Sequence, residues 1–118
     1  MVVKANGSGI HVTSTRQKYG AVRTTVDGIR FHSAKEARRY SELRLRERAG
    51  QIRGLERQPR FPLAVAGATI GVYVADFRYG EVATGADCVE DVKGVRTPLY
   101  RWKKRHVAAQ YGIQIREV

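Results

Sequence analysis

The chain has 118 residues, 42% hydrophobic and 28% charged, which is enough material for one domain around one core. Twenty-two Lys and Arg against eleven Asp and Glu leave a net charge of +11. The self-repulsion of so basic a chain is relieved by a polyanionic partner, and nucleic acid is the expected one. No apolar run approaches the roughly 20 residues of a membrane-spanning helix, and Met1-Val2-Val3-Lys4 does not read as a signal peptide. The single Cys88 excludes a disulfide framework and a cysteine-rich zinc site. A cytoplasmic protein without membrane attachment is the expectation.

Residues 1–18 are rich in Gly, Ser and Thr without periodicity and read as a flexible basic tail. The domain proper is expected over residues 19–118. Val22 to Thr25, Asp27-Gly28 and Ile29 to Phe31 read as a β-hairpin with an Asp-Gly turn. Ser33 opens a helix from Ala34 to about Ala49, stopped by Gly50, and Ser33 and Glu36 have capping-box spacing. Leu55 to Leu63 is extended, and Pro59 and Pro62 mark it as an edge or irregular strand.

Ile70 to Tyr79 predicts a strand, Gly80 to Ala86 a loop, and Cys88 to Lys93 a returning strand. Thr97-Pro98 has the form of an N-cap followed by a first helical proline. That second helix runs to about Tyr111 and stops at Gly112, with Leu99, Trp102 and Ala109 fitting its apolar face. Ile113 to Val118 closes the chain as a short strand. The fold class is α/β: a small mixed sheet flanked by two helices.

Asp76 stands within Val72-Tyr73-Val74-Ala75-Asp76-Phe77, although aspartate is disfavoured in strands. Asp91-Val92-Lys93 follows, and strand alternation places Asp91 and Lys93 on one face. Pairing across the Gly80–Ala86 loop brings Asp76 within about one residue step of Asp91. Two carboxylates beside an ammonium suit Mg²⁺, with Mn²⁺ as a substitute, and such an ion polarises a phosphodiester and acidifies a bound water. The competing reading makes Asp76 part of a solvated face with Arg78, and Asp91 and Lys93 a surface pair. Glu36 is either a capping-box acid or, with Tyr40 and Leu43 at i, i+4, i+7 spacing, an inward carboxylate in want of a partner.

An acidic residue on a helix, then Asp76, then Asp91-x-Lys93 resembles the PD-(D/E)xK nuclease superfamily. The runs KYGAVRTTVDGIRFHSAKEARRY, LERQPRFPL, VYVADFRY and VEDVKGVRTPLYRWKKRHVAAQYGIQIREV resemble more closely a phage-encoded domain family of unknown function, regarded as an endonuclease relative. The resemblance covers about residues 18–118. It implies a restriction-endonuclease-like core, catalytic Glu36, Asp76, Asp91 and Lys93, and Mg²⁺ held by Glu36, Asp76 and Asp91. Ala75 stands where the named motif has proline. Glu90 competes with Asp91, but only Asp91 shares the face of Lys93 unless a bulge intervenes.

Between Asp91 and Glu117 there is no acidic residue, while Lys93, Arg96, Arg101, Lys103, Lys104, Arg105 and Arg116 are all basic. Arg101, Lys104 and Arg105 form a stripe on the second helix, so this region is expected to contact phosphates. Trp102 reads as core, with base stacking as its alternative. Arg38, Arg39, Arg44, Arg46 and Arg48 form a second cluster, in which Arg39 is a further nucleic-acid contact. The three histidines have no ligand spacing. The expected activity is Mg²⁺-dependent hydrolysis of double-stranded or branched DNA, in the manner of a junction resolvase. By analogy with small resolvases the protein is expected to form a homodimer, acting in the bacterial host cytoplasm if phage-encoded. The alternative is a nucleic-acid-binding module of the same fold that performs no hydrolysis.

Overall fold

A computed structural model describes residues 2–5, 8–16, 22–92 and 96–118, with side chains from Thr24 onward. The chain is mixed α/β and divides into two units, residues 1–45 and 46–118.

The first unit begins with β1 (Val2–Ala5) and β2 (Ser8–Arg16), followed by β3 (Val22–Val26) and β4 (Ile29–Phe31). All four pair antiparallel in chain order. The stretch that composition assigns to a tail thus carries two strands. The alternation of Ile10 and Val12 with polar neighbours suits a strand, a pattern that the Gly and Ser content obscures. The Asp-Gly turn is a type I′ turn: Asp27 and Gly28 have φ of 52° and 75°, and Val26 pairs directly with Ile29.

Helix α1 (Ala34–Arg48) starts where Ser33 Oγ accepts the Glu36 N–H at 3.1 Å. Glu36, Tyr40 and Leu43 are all buried, as their helical spacing requires, and the Tyr40 ring meets Phe31 at 5.2 Å.

The last turn of α1 lies in the second unit. There Arg46 Nη2 donates to both carboxylate oxygens of Glu81 at 3.0 Å, and its guanidinium lies 5.9 Å from the Tyr79 ring centre. That bidentate pair holds the Arg46 pKa above its ordinary value. Strands β5 (Ile52–Arg57), β6 (Arg60–Val65), β7 (Ala68–Val74) and β8 (Phe77–Glu81) follow, then β9 (Asp87–Asp91). Helix α2 (Pro98–Tyr111) and β10 (Ile115–Glu117) complete the chain. One sheet has the order β10-β9-β8-β5, with β10 parallel to β9 and the other pairs antiparallel. Strands β6 and β7 form a separate antiparallel pair.

The single strand expected over Ile70–Tyr79 is therefore two strands, and so is the extended segment Leu55–Leu63. Both arms of one long hairpin break at the same level. Gln58 takes φ 53°, and Pro59 offers no N–H to continue a ladder. Gln58 N–H donates to Asp76 O at 3.0 Å and Ala75 N–H to Pro59 O at 3.1 Å, which holds the arms together across the break.

Helix α2 has the caps that its sequence announces: Thr97 Oγ1 accepts the Tyr100 N–H at 3.1 Å, and Gly112 at φ 69° donates its N–H to Ala108 O. Its inward side is different from the one periodicity suggests. Tyr100 and Val107 are buried, in a core with Phe61, Leu63, Tyr73, Ala75, Val89 and Ile115. Leu99, Trp102 and Ala109 are exposed, and the expectation of a core tryptophan is corrected. The orientation follows from polar anchors: Lys103 Nζ reaches Val72 O at 3.1 Å, and the Tyr100 hydroxyl reaches Glu117 at 2.9 Å. Burial of Val107 in this core contributes roughly 1.5–3 kcal/mol.

Candidate active site and basic pocket

Asp76 sits in the break between β7 and β8, where the chain leaves one strand pair and enters the other. Its N–H donates to Glu90 O at 3.1 Å, and its Oδ2 accepts the Val92 N–H at 2.7 Å. The break frees the Asp76 side chain from ordinary strand alternation and turns it to the end of β9. Phe77 pairs with Glu90, so one further step along both strands sets Asp76 against Asp91. The sequence expectation that these two aspartates lie within a residue step agrees with that register.

Asp91, the last residue of β9, is 2% exposed. Its Oδ2 accepts the Tyr73 hydroxyl proton, and its backbone carbonyl accepts the Val118 N–H at 3.0 Å. On the other side of β9, Glu117 of β10 pairs with Asp91. Asp76, Asp91 and Glu117 thus occupy matching positions on three neighbouring segments at one end of the sheet. Glu90 faces the opposite way, with Phe77 and Tyr79, and its carboxylate accepts the Tyr79 hydroxyl proton. Burial first, then that hydrogen bond, push the Tyr79 pKa up to about 12.

Beside this carboxylate edge lies a cavity of about 420 Å³, lined among others by Arg96, Tyr100, Arg101, Lys104, Arg105 and Glu117. Glu117 is its internal counter-ion. Arg96 Nε contacts Oε1 at 2.9 Å, while the Tyr100 hydroxyl at 2.9 Å and Lys104 Nζ at 3.7 Å approach Oε2. The Tyr100 hydrogen bond, then the Arg96 one, hold the Glu117 carboxyl below the usual glutamate range. Burial and the same hydrogen bond raise the Tyr100 phenol. Arg101 and Arg105 are exposed, so two further guanidinium groups line the cavity beyond those that Glu117 engages.

The remaining expected site residues are placed as follows. Lys103 turns from the stripe to the β7 backbone. Glu36 and Arg39 belong to the first unit, where Glu36 is 8% exposed and Arg39 pairs with Glu42 at 2.9 Å. Lys93 lies outside the described residues. Among the described residues no group of three or more His, Cys, Asp and Glu stands close enough to hold a metal ion. The Asp76 and Asp91 pair is an all-oxygen donor set, and Mg²⁺ binds through one or two carboxylates while keeping several waters. The pair fits such an ion on donor chemistry.

Sequence reasoning missed Tyr73, Tyr100 and the part played by Glu117. A usable signal exists for Glu117 alone: Ile115 and Glu117 alternate onto one face of the last strand, which places the acid next to the core.

The chain belongs to the family described as "Protein of unknown function (DUF1064)", which matches residues 16–117. No curated protein and no solved structure matches it. Among the described residues no helix is long and apolar enough to cross a membrane.

Proposed function

We propose that the protein is a divalent-metal-dependent endonuclease with a restriction-endonuclease-like core, acting on double-stranded or branched DNA. The observation that carries this reading is the register of the sheet end: Asp76, in the break before β8, stands next to the end of β9 where Asp91 lies, and Glu117, which pairs with Asp91, lines an arginine- and lysine-rich cavity. A site for phosphodiester hydrolysis needs carboxylates beside a cationic surface that draws in the backbone. Bound at Asp76 and Asp91, Mg²⁺ or Mn²⁺ would supply Lewis acidity and a more acidic water. Tyr73 fixes the Asp91 carboxylate, and Val92 N–H fixes that of Asp76. Arg101 and Arg105 attract the strand. Lys93 enters this proposal through the sequence pattern, as the ammonium.

A second reading, a nucleic-acid-binding module without hydrolysis, is favoured by the hydrogen bonds that both aspartates accept from Tyr73 and Val92. One experiment separates the two. Supercoiled plasmid and four-way-junction DNA are incubated with the protein in Mg²⁺ or in EDTA, alongside Asp76→Asn and Asp91→Asn. The nuclease gives product only with metal, and both variants lose cleavage while keeping DNA affinity. Binding without metal-dependent product from the wild type contradicts hydrolysis and leaves the binding module.

A further inference from the structure

The outward face of α2 carries an exposed aromatic side chain, Trp102, one residue from Arg101 and three from Arg105, two lining residues of the cationic cavity. Trp102 is 47% exposed, although a large apolar side chain is stabilised by burial. Arg105 stands three residues further along the helix, so it neighbours Trp102 on the helix surface. With Arg101 and Glu117 it lines the cavity. The indole is braced: the His106 ring lies 5.4 Å away, tilted by 56°, and His106 Nε2 is itself 3.1 Å from Ala64 O on β6. Trp102 is thus exposed on a braced support, with Arg105 as its cationic neighbour.

That arrangement has the elements of single-strand recognition. Cations follow the phosphates, and an exposed aromatic ring offers its face to an unpaired base. A duplex keeps its bases stacked inside and has none to offer. The charge balance favours a nucleic acid as partner: no acidic residue stands between Asp91 and Glu117, the stretch that contains all of α2. A pre-braced ring also loses little side-chain freedom on binding.

We infer that Trp102 is a stacking platform for an unpaired nucleotide whose phosphate lies against Arg101 and Arg105. This inference rests on the nucleic-acid-binding part of the proposed function and is independent of hydrolysis. It gives the site a preference for DNA with a single-stranded or branched segment over uniform duplex.

Trp102 is the chain's single tryptophan, so its fluorescence reports on this position alone. The full chain is titrated with a thymidine oligonucleotide and with a blunt duplex of equal length, both in EDTA to prevent cleavage. The single strand is expected to quench the emission strongly and the duplex weakly. Trp102→Ala is expected to lose roughly 5- to 100-fold in single-strand affinity, with duplex affinity nearly unchanged. Trp102→Phe keeps most of the single-strand affinity, and it tests the ring even if the alanine variant folds poorly. Unmoved emission at saturating single strand, or wild-type single-strand affinity in Trp102→Ala, overturns the stacking role while duplex binding still supports the wider reading. Failure to bind either DNA overturns both.

Discussion

Tyr73, Tyr79 and Tyr100 each give a hydroxyl proton to a carboxylate, on Asp91, Glu90 and Glu117 in turn. The partners are 18, 11 and 17 residues apart, so no local pattern announces the pairs. Asp76 and Asp91 were legible because acids are rare in strands and the loop between them implies pairing. Their tyrosine and backbone donors were not, because a donor chosen by tertiary packing leaves no periodic trace. The pair of Tyr100 and Glu117 has a pH signature. Glu117 is held below its ordinary value of 4.5 by hydrogen bonds that favour the carboxylate. A depressed carboxyl stabilises the fold above the unfolded-state value, and that contribution disappears as pH falls through the folded-state value. Glu117→Gln is therefore expected to lower the thermal midpoint at pH 7 and to differ less from wild type as pH falls from about 4.5 to below the folded-state value. A difference that grows in acid contradicts the assignment.

The elements show where sequence logic holds and where tertiary forces override it. The limits of α2 were readable from Thr97, Pro98 and Gly112, since caps act through their own neighbours. Thr97→Ala removes the acceptor for the Tyr100 N–H and is expected to cost about 1 kcal/mol, read from the urea midpoint, with Thr97→Ser nearly neutral. An alanine variant as stable as wild type would contradict the cap. The face that α2 buries was not readable. Leu99, Trp102 and Ala109 compete with Tyr100 and Val107 for the inward position, and the Tyr100 and Lys103 hydrogen bonds fix the outcome. The double break at Gln58 and Asp76 was hidden for a similar reason. Pro59 marks one arm, but Val72 to Phe77 reads as an unbroken strand, and only its partner's kink forces it to part. That kink turns the Asp76 carboxylate to the Val92 N–H at the end of β9.

For the whole molecule, the charge of +11 points to a polyanion without locating its surface. The proposed surface follows from how the folded second unit distributes its acids. Glu81, Asp87 and Glu117 each engage an arginine of this unit: Arg46, Arg78 and Arg96. Arg101 and Arg105, exposed on α2, belong instead to the lining of the cavity. The proposed metal-binding pair of Asp76 and Asp91 lies next to that surface. It is tested most directly by titrating the DNA-free protein with Mn²⁺ and counting bound ions by electron paramagnetic resonance. Asp76→Asn, Asp91→Asn and Glu90→Gln are titrated in parallel. The proposed pairing predicts Mn²⁺ binding by the wild type and by Glu90→Gln, with binding lost or greatly weakened in both aspartate variants. Equal Mn²⁺ binding by the wild type and the two aspartate variants, or none by the wild type, would contradict it.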